Sequence, residues 1–297
     1  MKKRGTGALT LISLNSKSSK SKRAQTTIFI IIAIVIIAIA IGTFYIINQN
    51  KKVESEKYFS QSNIKPTMDL IISQIVDCSE ETSKKALNTI GIQGGYYNKP
   101  NKFYQAKSAF VPYYYYEGEY LIPSKITIQN ELESYVNDNI ESCLNNIKQE
   151  GFTILHKTPL TIVTIKEKEV LFEISQSTKI TREEYTTNLD FSNDPIIIPS
   201  EINNIYELAN YITDSHKQDP EMYCISCVGE IAQEKDLYVD ILNFKENEML
   251  IIISENHTSS EPFSFEFLNK YSGNEISPLS ISGGTAPSSP KPSQGPQ

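Results

Sequence analysis

Residues 28 to 47 read IFIIIAIVIIAIAIGTFYII, and this run limits the chain's options more than any other feature. It holds no charge, and Thr43 and Tyr45 are its only strongly polar side chains. At a helical rise of about 1.5 Å per residue, the run matches the roughly 30 Å hydrocarbon core of a bilayer. A helix pairs every backbone N–H and C=O within the segment, which that medium requires. The run is longer than a soluble core helix needs. A cleaved secretory signal has an apolar region of about 7–15 residues and a small-residue exit. Here the run is longer and ends Tyr45-Ile46-Ile47-Asn48, with no such exit. The expectation is a single transmembrane helix over residues 25–50.

Charge predicts its orientation. Lys2, Lys3, Arg4, Lys17, Lys20, Lys22 and Arg23 precede the run with no acid among them. Lys51, Lys52 and Lys57 follow it, interleaved with Glu54 and Glu56. Positive residues resist translocation, so residues 1–24 read as a cytoplasmic basic leader and the rest as extracytoplasmic. The whole chain has 28 basic and 35 acidic residues. Without the seven leader charges, 21 basic residues face 35 acidic ones, a balance of −14. Such a domain repels phosphate backbones, which argues against nucleic acid as a partner.

The apolar run is preceded by Lys22-Arg23-Ala24-Gln25-Thr26-Thr27. This resembles the class III signal segment of archaeal type IV pilins and related prepilins. In those a basic residue and a Gly or Ala precede the cut, Gln commonly follows it, and the apolar segment is retained. The resemblance covers about residues 20–47. It implies a prepilin peptidase as a processing partner, cutting between Ala24 and Gln25. It further implies a pilin-like structural or adhesion subunit at the cell surface, with self-assembly or envelope proteins as partners. One position departs from the pattern: many pilins carry an acid at the fifth mature position, and here Phe29 stands there. The alternative is an uncleaved single-pass anchor whose ectodomain binds an external ligand or envelope partner.

Beyond the anchor, residues 51–276 read as one α+β domain. Met68, Ile71, Ile72, Ile75, Val76 and Leu87 recur at helical spacing, predicting a helix over 67–90 with Thr67 as its cap and Gly91 at its end. Residues 108–122 predict a hairpin about Glu117-Gly118. Pro123 and Ser124 open a second helix, expected to reach about Gln149. Period-two patterning then predicts strands over 160–165 and 169–175, a hairpin over 237–243 and 248–254, and a strand over 263–268. A helix is expected over 202–217. Residues 277–297 are rich in Ser, Pro and Gly, too poor in apolar side chains to offset ordering entropy, and read as a disordered tail.

There are four cysteines, Cys78, Cys143, Cys224 and Cys227. An even count outside the cytoplasm suggests disulfides. Cys78 and Cys143 lie on the apolar stripes of the first two domain helices. Joining them closes a loop of about 65 residues, valued at roughly 3–5 kcal/mol. That leaves Cys224 and Cys227, spaced C-x-x-C. A structural disulfide is the expectation there, with half a zinc site or a redox dithiol as alternatives. A redox pair favours a strand-to-helix turn, which the pattern does not reveal. A zinc site needs two further ligands, and His156, His216 and His257 match no ligand spacing.

Tyr113-Tyr114-Tyr115-Tyr116 predicts a strand whose tyrosines face core and solvent alternately. Asn256-His257-Thr258 is a glycosylation sequon. Glu183-Glu184 reads as solvated loop. No nucleophile with a neighbouring base and no phosphate-binding or zinc-hydrolase motif occurs, so neither a catalytic residue nor a cofactor is assigned.

Overall fold

The structure, a computed structural model, describes residues 22–61, 63–191, 195–218, 224–255 and 262–272. The chain forms two compact units, one ending at Lys57 and one beginning at Tyr58. The described residues of the first are helix α1, Lys22–Phe59, whose last two residues belong to the second unit. Its 38 residues are about 57 Å long. Within the apolar run the Thr43 hydroxyl donates back to the Ile39 and Ala40 carbonyls, at 2.9 and 3.0 Å. The run's one hydroxyl on a small side chain is thus satisfied without water.

The second unit opens with α2 (Lys65–Ile92), then β1 (Phe103–Gln105), β2 (Phe110–Tyr116), β3 (Glu119–Tyr120) and α3 (Lys125–Leu144). Strands β4 (Thr153–His156), β5 (Leu160–Ile165), β6 (Glu169–Ser175), β7 (Ser177–Arg182), β8 (Tyr185–Asp190) and β9 (Ile196–Pro199) follow. Helices α4 (Ile202–Gln218) and α5 (Ile225–Glu234) precede β10 (Leu237–Lys245), β11 (Glu248–Glu255) and β12 (Ser264–Lys270). The fold is α+β with sheets that are largely antiparallel.

The largest sheet runs β1-β2-β12-β11-β10, with β3 paired to β2. All its pairings are antiparallel except β12 with β2. Glu117 and Gly118 both have positive φ, 48° and 100°, which turns β2 tightly into β3. Two further sheets, β4-β7-β8 and β5-β6-β9, are wholly antiparallel. Edge strand β5 is covered by a polar row on α3. Val163 N donates to Glu133 Oε1, Thr161 N to Asn137 Oδ1, and Gln129 Nε2 to the Val163 carbonyl, at 2.9–3.0 Å. Spaced four apart, these three residues share one helix face and bond edge groups that would otherwise be open to another strand.

Four local expectations change. Helix α2 starts at Lys65 with Ile64 at its N-cap and no side-chain cap, so Thr67 lies inside the helix. Gly91 does not end α2. It lies one residue before the last, where a Cβ would meet the Ser264 carbonyl at 2.3 Å and the Phe263 ring at 2.6 Å. Helix α3 stops at Leu144, because the chain turns at Asn145 and folds Ile147 back onto the core. The tyrosine row does not alternate between core and water. Tyr113, Tyr114 and Tyr115 are all buried, because β2 lies between β1 and β12 in the sheet and contributes to two apolar clusters. Tyr114 and Tyr115 enter the main core, where Tyr114 stacks on Phe267 at 4.3 Å. Tyr113 joins Val111 and Leu268 in a smaller cluster.

Candidate functional site

Helix α1 is long and apolar enough to cross a membrane. Its large side chains from Ile30 to Ile47 are each about half exposed or more, from Ile32 at 49% to Phe44 at 69%. None of this apolar stretch is buried. Lys22 to Thr27 already have helical backbone, so Ala24 and Gln25 fall within the first turns of α1. The sequon residue Asn256 lies outside the described residues, as do residues 1–21, His257 and the tail.

Cys78 projects from α2 and Cys143 from the last turn of α3. Their Cα atoms are 5.9 Å apart and their sulfurs are at disulfide distance. The bond joins two helices packed side by side. Cys78 is buried at 3% exposure, among Ile75, Leu87, Val136 and Ile140 of the same core.

Cys224 and Cys227 form the second disulfide-distance pair, with Cα atoms 5.2 Å apart. Their setting was not legible in advance, because helix α5 was not anticipated. Ile225, Val228, Ile231 and Ala232 carry a short helical stripe that could have revealed it. Val228 and Ala232 are buried and pack α5 against β10. Lys235, just past the helix end, donates to Asn204 Oδ1 at 3.0 Å and to Glu207 Oε2 at 2.8 Å, tying α5 to α4. Helix α4 is itself fixed at its start: Glu255 Oε1 accepts from Glu201 N at 2.6 Å and from Ser200 Oγ at 3.1 Å. Helix α5 is thus held along β10 and at its C-terminal end. Cys224 is its N-cap, and its sulfur accepts the Cys227 N–H at 3.2 Å. Both cysteines are half-buried, while Ile225 and Ser226 between them are exposed. No acidic residue occupies the helix's first turn.

Among the described residues, no group of three or more His, Cys, Asp or Glu side chains could hold a metal ion. His156 is half-buried with Nδ1 2.9 Å from Thr178 Oγ1, and burial lowers its pKa. It reads as a packed structural histidine. Glu183 and Glu184 form the exposed turn between β7 and β8, with Glu183 at a φ of 55°. A cavity of about 440 Å³ lies between α2 and strands β6 and β9, lined chiefly by Ile75, Val76, Ile174, Phe191 and Ile196, with Ser79, Glu80, Gln176 and Asp190 as polar members. No family model, curated protein or solved structure matches the chain.

Proposed function

We propose that this chain is a single-pass membrane-anchored surface subunit of the pilin-like kind, with a structural or adhesive and non-enzymatic role. The observation that carries this reading is the uncovered apolar length of α1. Thirteen large apolar or aromatic side chains between Ile30 and Ile47 are exposed. Covering them contributes on the order of 20 kcal/mol, at about 1.5 kcal/mol for each half-exposed side chain. Lipid supplies that cover for an anchor, and neighbouring copies of the same helix supply it in an assembled bundle. The seven basic residues ahead of the run favour a cytoplasmic N-terminus and an extracytoplasmic domain.

Processing distinguishes assembly from simple anchoring. A cut between Ala24 and Gln25 by a prepilin-type peptidase removes all seven leader charges and leaves Gln25 first. The helix is then no longer pinned at the cytoplasmic face. Phe29, in place of an acid at the fifth mature position, favours the second reading, an anchored ectodomain that binds an external ligand or envelope partner without polymerising. N-terminal peptide mapping of the protein from cells with and without the peptidase tests this. A mature chain starting at Gln25 only where the peptidase is present supports the pilin-like reading. Peptides from the leader still joined to the mature protein reject it in favour of the simple anchor. Protease added to cells with an opened envelope is expected to digest the domain beyond residue 60, and full protection there contradicts the orientation.

A further inference from the structure

We propose that Cys224 and Cys227 form a redox-active disulfide that exchanges with the dithiol of a partner, while Cys78–Cys143 is inert and structural. The proposal is independent of the membrane reading, because it rests on geometry within the second unit alone. Three observations meet at this pair. Its sulfurs are joined across only three positions of sequence, so reduction opens a very small loop and leaves the rest of the chain in place. Both cysteines are half-buried, and the two residues between them are exposed, so an attacking thiol can approach. Cys224 stands at the N-cap of a ten-residue helix, with its sulfur accepting the Cys227 N–H and no acid in the first turn.

The last observation assigns the roles. A thiolate at Cys224 faces the positive end of the helix dipole and keeps an N–H donor, both of which favour the charged form. A thiol of lower pKa is also the better leaving group. In reduction, a thiolate of the partner dithiol attacks Cys227 Sγ. A mixed disulfide forms, the Cys224–Cys227 bond breaks, and Cys224 departs as a thiolate carrying the electron pair. The partner's second thiol, deprotonated, then attacks its own sulfur in the mixed disulfide and releases Cys227. Two electrons and two protons pass to the protein, and the partner leaves as a disulfide. Helix α5 remains held by Val228 and Ala232 in the core and by Lys235 on α4, so the exchange needs no unfolding.

The first pair provides the internal control. Cys78 is 3% exposed and Cys143 is half-buried, so a thiol can approach only from the Cys143 side, and opening the bond there releases a 65-position loop between two packed helices rather than a local one. Full-length protein in detergent micelles is exposed to graded dithiothreitol without denaturant, quenched in acid, alkylated and mapped by mass spectrometry. Cys224 and Cys227 share the peptide between Lys217 and Lys235, apart from Cys78 and Cys143. Cys224 and Cys227 are expected to be labelled together, with Cys78 and Cys143 unlabelled and the circular dichroism unchanged. Labelling of all four only when the protein unfolds overturns the proposal.

A second measurement uses two variants that retain the Cys78–Cys143 bond, Cys227→Ser and Cys224→Ser. In Cys227→Ser, the lone thiol of Cys224 is expected to titrate at least one unit below the ordinary value of about 8.5. Cys227 in Cys224→Ser is expected to keep the ordinary value, so below both pKa values Cys224 should hold at least ten times the thiolate fraction of Cys227. A Cys224 thiol titrating at or above about 8.5 overturns the assignment of Cys224 as the activated sulfur.

Discussion

The two disulfides should differ sharply in what they contribute to stability, and the difference can be worked from their loop lengths. Cys78 and Cys143 are 65 positions apart, whereas Cys224 and Cys227 are three apart. In the chain-entropy model, closing the longer loop removes about 14.5 cal/mol/K from the unfolded state, or about 4.3 kcal/mol at 25 °C. The short loop yields only about 1.6 kcal/mol by the same relation. Replacing Cys78 and Cys143 together by alanine should therefore destabilise the domain by about 4 kcal/mol. Double replacement is chosen because it leaves no unpaired thiol in the core. For a domain of this size that corresponds to a fall in Tm of about 10–15 °C. Replacing Cys224 and Cys227 by alanine should cost less than half as much. Guanidinium unfolding followed by circular dichroism, with matched m-values, measures both. Equal losses for the two double variants, or a larger loss for the Cys224 pair, would refute the assignment of the first bond as the staple of α2 on α3.

Gly91→Ala should destabilise the domain by about 2 kcal/mol, since a close backbone contact costs about 3 and better helix propensity returns about 1. Chemical denaturation checks the sign, and a neutral or stabilising result contradicts the close approach of α2 to the start of β12. Tyr114 is fully buried and donates to the Gly94 carbonyl at 3.0 Å, so Tyr114→Phe should cost about 1–2 kcal/mol by leaving that oxygen without its partner. A loss below about 0.3 kcal/mol in the same assay rejects the bond. Burial and the neighbouring Glu248 push the Tyr113 phenol up to about 12, above its ordinary 10. The stability this provides is complete below pH 10 and is lost as pH rises toward 12. Tyr113→Phe should accordingly flatten the fall in stability with pH across that window, by at most about 1.4 kcal/mol per pH unit. Parallel stability profiles for the two proteins count against it.

How far the fold was legible depended on whether an element's pattern was local. The run from Phe263 to Leu268, which leads into β12, alternates cleanly, and β10 and β11 are largely apolar runs on either side of the short turn that pairs Leu237↔Glu255 through Asn243↔Met249. Helices α2 and α3 carry stripes long enough to place Cys78 and Cys143 on facing sides. The hairpin β7–β8 escaped notice because its strands, STKITR and YTTNLD, are polar, and its turn is Glu183-Glu184 rather than a glycine pair. The burial of Tyr113 depends on Leu268 and Phe244, which lie more than 100 residues away and leave no mark on the strand's own pattern. Helix α5 is only ten residues long, too short for its stripe to stand out. The setting of Cys224 and Cys227 was lost with it.

The parallel pairing of β2 with β12 has a consequence for the order in which the molecule is made. Tyr113 lies opposite Leu268, about 155 residues later, while Tyr115 lies opposite Tyr120. Closing the longer loop costs about 3 kcal/mol more entropy than closing the short one. Synthesis delivers β2 early, when its available partners are the three-residue β1 and the two-residue β3. So small a meander, with no neighbouring sheet to pack on, is marginal in water. Its row of tyrosines therefore waits, with backbone groups open on one edge, until the chain has emerged through Lys270. The central sheet closes last, and any device that keeps the nascent chain from pairing wrongly has to act on β2 during that interval.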